Sequence, residues 1–528
     1  MTRTLVLLFV FFATRIYASD ISIQKSRPFK SNHKNVYPIQ LVASDSFQII
    51  YTQGNEKKST QEVLFANQKF RTTKKIILKT KPQERADNFI WTGEKLIILW
   101  EKKVKNDRLL SYQLISKNGR RTSVSNLIQL PNCFSPYLKD HNVEIIYSPN
   151  KQYAAFIIQD FVLKKNSKKN PQFTEYLVIF DRNGQILEKQ KNSSDRFDKI
   201  SGVYFLTDQG ELLKFKSENA QKQIRVDKKN LTNKEKEVIT FHTDLPDSVQ
   251  VLSYQIHFNS TTDTYDYLAK IKTNDTVTGQ NGLLSMKLNL EKDSVQNAQF
   301  TLYSPAFLSA FQNNKKFSEG QVIYPDLSLG EQFITRKVCF NASGGTFYVQ
   351  EFYNQSYPKI LNENTDKEYP ERNSYRFTQD YNIQSSYNML DFIVTYINPQ
   401  GKIEWSIRIP KEQLGLGYQF GSFDAFARDS SLYLFYNTEL PGNSFLKTMN
   451  LTRIDMDKVI PILVTVQGDA TYQKKDIRPL LDEGLIFFPW FSNALPANWR
   501  LPFRMLLQLN TAKSPSQAEW IEVRPSSK

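Results

Sequence analysis

Short apolar runs, each closed by Asn, Asp, Gly or Pro, recur along the whole chain, and they leave little room for any structure except β-sheet. One set runs Phe89–Trp91, Lys95–Glu101 (KLIILWE) and Leu109–Ser116 (LLSYQLIS), turns at Lys117-Asn118-Gly119-Arg120, and leaves through Ile128. The next runs Val143–Tyr147, Tyr153–Gln159, Tyr176–Phe180 (YLVIF) and Gln185–Lys189, with turns at Ser148-Pro149-Asn150-Lys151 and Asp181-Arg182-Asn183-Gly184. Further sets begin at Gly202–Leu206, Tyr265–Ile271 with Leu283–Leu290, Phe347–Tyr353, Asp391–Ile397 with Lys402–Arg408, Ser431–Tyr436 and Gly484–Phe488. Asn-Gly and Pro-x-Gly turns supply the positive φ that tight hairpins require. Each set is a meander of about four strands.

Runs such as YLVIF are apolar at every position, so both faces of the sheet must be covered. Sheets stacked face to face in a ring meet that demand and leave only short edges. The expected fold is therefore all-β, a single β-propeller of about seven or eight four-stranded blades over residues 19–528, with two β-sandwich domains as the alternative. Helical signals are few. Thr232-Asn-Lys-Glu235 has the form of a capping box, and Ser304-Pro305 suits a helix start running to about Lys316.

Residues 1–18 read as a secretory signal peptide. Arg3 precedes the unbroken apolar run Leu5–Ala13, and Ala18 suits the position before cleavage. An N-terminal anchor that stays uncleaved is the competing reading. The run is too short to span a bilayer, and no later stretch is longer, so no transmembrane segment is expected in the mature chain. The expected location is outside the cytoplasm: periplasm, cell surface or extracellular space.

Removing residues 1–18 takes away Arg3 and Arg15 and no acid, so the formal charge falls from +16 to +14. A basic balance steers proteins toward anionic polymers. The lysines are dispersed, however, and the densest stretch (VLKKNSKKNPQ) reads as a solvated loop between strands. No basic helix or interleaved Arg–aromatic pattern occurs, so nucleic acid is not an expected partner. A glycan or an envelope protein is, and a monomer is expected.

Cys133 and Cys339 stand 206 positions apart. They are a candidate disulfide in an oxidising compartment, and closing so long a loop would stabilise by about 4–5 kcal/mol on chain-entropy grounds. The alternative is that each is a small buried apolar residue.

Catalytic motifs are absent: no G-x-S-x-G elbow, H-E-x-x-H helix, phosphate loop, dinucleotide glycine pattern or EF-hand loop occurs. His33, His141, His242 and His257 share no ligand spacing, so no metal or cofactor is expected. Asp424 (GSFDAF) and Glu351 (YVQEFY) sit in apolar strand contexts, where an acid needs a partner, and both read as structural. The candidate ligand-binding residues are Tyr375, Phe377, Tyr381 and Tyr387 with Arg372 and Arg376, crowded into a polar loop, and Trp490 in a second aromatic cluster. Exposed rings with polar neighbours suit sugar stacking or peptide capture. Rings that plug the gaps between blades are the competing reading. Seven N-x-S/T sequons begin at Asn192, Asn230, Asn259, Asn274, Asn341, Asn354 and Asn450, and would matter only in a eukaryotic source.

Two segments carry a resemblance. Ser148-Pro149-Asn150-Lys151-Gln152-Tyr153, followed by Ala154-Ala155-Phe156, resembles the SPDGKxxAF signature of propeller blades, with Asn150 in the Asp place and Lys151-Gln152 departing from its Gly-Lys. Gly401–Gln413, continuing to Leu432–Asn437, is similar to a block of uncharacterised secreted β-propeller-like proteins of Bacteroidetes-type bacteria. The resemblance implies a shape and an exported location, and brings no catalytic residues. The expected function is an exported binding or interaction module of the cell envelope. The alternative is an extracellular polysaccharide hydrolase or lyase using acids from different blades.

Overall fold

A computed structural model describes residues 21–25, 29–30, 37–43, 48–53, 60–66, 72–79, 84–104, 107–116, 118–130, 141–162, 172–195, 202–218, 222–243, 245–273, 281–303, 333–356, 386–416, 423–428, 431–438, 448–455, 461–465, 485–487, 503–509 and 517–525. These form β-strands and turns, with no helix among the described residues. β1 (Ile21–Lys25) and β2 (Phe29–Lys30) come first. Sheet one holds β3 (Tyr37–Ala43), β4 (Gln48–Gln53), β5 (Thr60–Ala66) and β6 (Thr72–Lys79). Sheet two holds β7 (Glu84–Trp91), β8 (Lys95–Val104), β9 (Asp107–Ser116) and β10 (Ser125–Leu130). Sheet three holds β11 (His141–Tyr147), β12 (Tyr153–Val162), β13 (Gln172–Asp181) and β14 (Ile186–Ser194).

Sheet four holds β15 (Val203–Leu206), β16 (Glu211–Glu218), β17 (Gln223–Asn230) and β18 (Lys236–His242). Sheet five holds β19 (Val249–Asn259), β20 (Thr264–Thr273), β21 (Asn281–Asn289) and β22 (Ser294–Leu302). Sheet six holds β23 (Phe333–Phe340), β24 (Thr346–Ser356), β25 (Ser386–Ile397) and β26 (Ile403–Leu416). Sheet seven holds β27 (Phe423–Arg428), β28 (Ser431–Thr438), β29 (Thr448–Asp455) and β30 (Pro461–Thr465). The last sheet joins β31 (Leu485–Phe487), β32 (Phe503–Leu509) and β33 (Gln517–Pro525) to the N-terminal β1, with β2 also on β33. Every sheet is an antiparallel meander in chain order apart from that joining of the ends. The described residues form eight sheets, and the fold is a β-propeller, as the recurring strand sets predict.

Alternation along one strand shows why the runs are apolar throughout. On β12, Ala154, Phe156 and Ile158 pack with Ile97, Leu99 and Ile128 of sheet two. Ala155 and Ile157 point the other way, into Tyr204, Leu206 and Leu212 of sheet four. The same face-to-face packing joins sheet one to two, four to five and six to seven. Each fully buried side chain of this size contributes about 1.5–3 kcal/mol, so the stack is held chiefly by these seams. First strands of neighbouring sheets approach each other, β3 to β7, β11 to β15 and β23 to β27. The fourth strands β14, β18 and β22 are mostly exposed and form the rim.

The two ends of each sheet differ. One end is a set of tight hairpins built on a side-chain cap. Asp181 Oδ1 accepts the amides of Asn183 (2.9 Å) and Gln185 (2.8 Å), and Asn398 Oδ1 accepts those of Gln400 (3.1 Å) and Lys402 (2.9 Å). The fourth residue is left-handed, as at Gly184 (φ 78°) and Gly401 (φ 87°). Neighbouring hairpins are stitched: Thr92 Oγ1 donates to the Arg182 carbonyl (2.6 Å), Asn150 N to Asp208 Oδ1 (2.9 Å), and Asn259 Nδ2 to the Gly344 carbonyl (3.0 Å). The opposite end carries the connections between sheets and the joins from second to third strands.

One expectation is corrected. Thr232–Glu235 is no helix start; it closes the β17–β18 hairpin. Asn230 Oδ1 takes the amides of Thr232 (2.8 Å) and Asn233 (3.1 Å), and Lys234 adopts φ 63°, which ends any helical turn. The 304–316 segment lies outside the described residues.

Candidate functional site

Away from the hairpin end, the seam between sheets three and four turns from apolar to charged. Cross-strand pairing places Gln159 of β12 opposite Glu175 of β13 on the face that looks toward sheet four. Tyr204 of β15 and Lys214 of β16 are opposite each other on sheet four and look back. Glu175 is fully buried. Its carboxylate accepts Lys214 Nζ (2.9 Å), Tyr204 Oη and Gln159 Nε2 (3.4 Å). The Lys214 ammonium also lies 4.6 Å from the Tyr204 ring centroid, a cation–π contact.

These neighbours set the protonation states. Burial pulls the Lys214 ammonium below its usual range, with the Glu175 charge opposing that pull. Burial, then the charge and hydrogen bond of Glu175, push the Tyr204 phenol up, so it acts as a donor and is no base. Glu144 of β11 belongs to the same face at the inner edge of the sheet. Solvent reaches its side chain, but the surrounding sheets displace enough water that desolvation, with the Glu175 charge adding to it, lifts its carboxyl to about 7.

The seam between sheets five and six carries a second charged group, at the hairpin end. Asp266 of β20 and Lys287 of β21 stand directly opposite each other, both buried, with Nζ to Oδ1 at 2.9 Å. Thr346 of β24 donates its hydroxyl to Asp266 Oδ2 across the seam (2.6 Å). His257 of β19 lies in the same cross-strand row, and its Nε2 meets Gln255 Oε1 at 3.0 Å, while Gln255 Nε2 donates to the Thr335 carbonyl of sheet six (3.4 Å). Burial lowers the His257 imidazole to about 4, so the ring is neutral at ordinary pH. Within sheet two, Glu101 of β8 accepts Arg108 Nη1 of β9 (3.0 Å). No group of three or more His, Cys, Asp and Glu side chains is arranged to hold a metal among the described residues.

Of the residues singled out in the sequence, Arg372, Tyr375, Arg376, Phe377, Tyr381, Trp490 and Cys133 lie outside the described residues. Tyr387 is on β25, its backbone opposite Gln355 and Leu416. Cys339 is buried on β23, and its thiol approaches the Ala425 carbonyl of sheet seven at 3.5 Å. Glu351 is fully buried on β24, and Asp424 falls on β27. Asn259 and Asn341 of the sequons are buried hairpin caps, Asn341 Oδ1 taking the Gly345 amide at 2.7 Å. The charged seams were missed. Their trace in the sequence is an ionisable residue set among apolar ones: Glu175 in FTEYLVIF, Lys214 in ELLKF, and Asp266 in TYDYLAKI.

No described helix is long and apolar enough to cross a membrane. No family model matches the chain, and no curated protein matches its sequence. Among solved structures it is similar to the β-propeller domain of the Trilobed protease from Pyrococcus furiosus, at 10% identity over 83% of this chain and 95% of that one, with a TM-score of 0.32. It is also similar to an oligogalacturonate lyase from Vibrio parahaemolyticus (8% identity, 96% and 99% covered, TM-score 0.35). A third is the polysaccharide lyase Uly1 (8% identity, 84% and 90% covered, TM-score 0.38).

Proposed function

We propose that this protein is an exported binding module of the cell envelope, which takes an anionic glycan on the end of the propeller opposite the tight hairpins. One observation carries the reading: two acids buried in the charged seams, Glu175 and Asp266, are closed by the protein's own donors. Glu175 is held by Lys214, Tyr204 and Gln159, and Asp266 by Lys287 and Thr346. Such groups brace a rigid frame, and a rigid frame that carries loops at one end suits recognition. The apolar leader and the excess of Lys and Arg over Asp and Glu support export and an anionic partner.

A second reading has a specific observation in its favour. Glu144, with its carboxyl near 7 beside Glu175, is tuned as a general acid for glycan cleavage would be. The two acids come from a single sheet, however, and Glu175 is already engaged.

A thermal-shift screen of the chain from residue 19 against anionic and neutral polysaccharides separates these readings. A ligand at a hundred times its Kd adds about 2.7 kcal/mol, a measurable shift. Stabilisation by one anionic glycan, without new reducing ends or unsaturated products, is expected. Release of products would make the protein a hydrolase or lyase, and flat curves across the panel would overturn the glycan reading.

A further inference from the structure

The lysines are dispersed along the chain, but the fold gathers two stretches that hold cations and no acid. Residues 63–83 carry six Lys and Arg and residues 108–139 carry five, and neither holds an Asp or Glu, where the chain's average of about one acid in ten residues would put about five. β6 comes from the first stretch and the β9–β10 hairpin from the second. They meet at the outer edge of sheet one: Lys74 Nζ donates to the Asn118 carbonyl, and Arg121 Nη2 donates to the Ile77 carbonyl (2.8 Å). Along β6, Ile76 and Leu78 pack against sheet two, so Lys75, Ile77 and Lys79 alternate outward and are exposed. In the hairpin, every residue from Arg120 to Asn126 is exposed. Two branched apolar side chains stand among these cations, Ile77 at 46% exposure and Val124 at 47%. On the bordering strands, Glu62 lies one strand inward, opposite Ile77, and Asp107 lies at the far end of β9, engaged by Gln129 (2.6 Å).

We propose that this edge docks the protein on an anionic lipid surface, with Lys79, Arg120 and Arg121 meeting the headgroups and Ile77 and Val124 entering among them. Charge complementarity selects an anionic partner. The apolar pair selects lipid over a soluble polymer, because a branched side chain gains by leaving water where the partner offers a hydrocarbon boundary. Neither β6 nor the 118–126 segment holds an aromatic ring on which a sugar or base could stack. Docking by the rim leaves both ends of the propeller open, so it stands or falls apart from the glycan reading.

Co-sedimentation with vesicles tests the edge, using the chain from residue 19 so that the apolar leader cannot itself hold lipid. Phosphatidylcholine vesicles with about 30% phosphatidylglycerol should retain the protein at about 0.1 M salt, and pure phosphatidylcholine should not. Each cation near an anionic leaflet strengthens binding about fivefold, so Lys79→Gln with Arg120→Gln should weaken it about 20-fold. Lys236→Gln with Lys292→Gln, exposed on sheets four and five, removes the same charge elsewhere and should leave binding nearly unchanged. Ile77→Ser with Val124→Ser should weaken it roughly three- to tenfold. No preference for the anionic vesicles, or equal losses from the two charge pairs, would overturn the docking edge, the second result leaving net charge alone at work. Vesicle binding indifferent to the Ile77 and Val124 changes, with a soluble sulfated polysaccharide lost on Lys79→Gln with Arg120→Gln, would make the edge a glycan site and overturn the lipid assignment.

Discussion

Two lysine–carboxylate pairs are buried between sheets of this propeller, and they brace it differently. Asp266 and Lys287 belong to adjacent strands of one sheet, in register, and the Thr346 hydroxyl reaches Asp266 from the next sheet. Glu175 and Lys214 belong to different sheets, so their ion pair is itself the crossing. A pair within a sheet secures that sheet and lends its neighbour one hydrogen bond. A pair between sheets makes the seam depend on charge balance, and that seam also holds Glu144.

Removing one lysine should have the largest effect and would break the comparison most directly. Lys287→Met leaves Asp266 buried with one hydroxyl for company, which should cost about 3–5 kcal/mol. Lys214→Met leaves Glu175 with Tyr204 and Gln159, so a smaller loss of about 2–3 kcal/mol is expected. Adding Glu175→Gln to Lys214→Met should restore most of that loss, because a neutral amide oxygen still accepts from Tyr204. Denaturant unfolding of the three variants checks the order. Equal losses would mean that the second and third donors to Glu175 contribute nothing.

How much of this was legible depends on the range of the interaction. The hairpins could be read from Asp181-Arg182-Asn183-Gly184 and Asn398-Pro399-Gln400-Gly401, because a side-chain cap and a left-handed fourth residue are local. The stacking could be read from YLVIF, because a strand with no polar face must be covered twice. The joining of β1 to β33 could not, since it unites the two ends of the chain through backbone pairing that leaves no mark on either segment. The charged seams were equally hidden. Glu175 and Lys214 lie 39 positions apart, and nothing in FTEYLVIF names ELLKF as its partner. The capping box at Thr232 was misread for a local reason: Asn230, two residues earlier, supplied the cap and the chain turned back.

A pH titration sharpens the comparison at the next level of effect, because the two seams should respond with opposite sign. His257 is held below its ordinary range, at about 4, so its stabilising contribution is present above about 6.5 and lost as pH falls through about 4. Glu144 is held above its ordinary value, near 7, so its contribution is full below about 4.5 and lost as pH rises through about 7. The two slopes oppose each other over nearly the same window. Relative to the parent, His257→Gln should make stability fall with rising pH, by about 2–3 kcal/mol across the window. Glu144→Gln should make it rise, by about 1–2 kcal/mol once screening of a solvent-touching carboxylate is allowed for. Urea midpoints measured from about pH 4 to about pH 8 report both, and two slopes of the same sign would remove the contrast between the seams.

The smallest effect lies at the hairpin end, where the same left-handed position is filled differently on the two sides. In the hairpin stitched across the seam between sheets five and six it is Gly344, at φ 86°; in the one stitched across the seam between sheets three and four it is Lys151, at φ 59°. A non-glycine residue there costs about 1–2 kcal/mol, whereas glycine loses about 0.5–1 kcal/mol more chain entropy on folding. Lys151→Gly should therefore stabilise by about 0.5 kcal/mol. Gly344→Ala should destabilise by about 1–2 kcal/mol, since its Cβ would also come within 2.7 Å of Thr262 Cγ2. Thermal midpoints of the two variants should move in opposite directions. If Lys151→Gly lowers the midpoint, the lysine side chain holds that hairpin by more than its backbone strain costs, and the two hairpin positions are not equivalent.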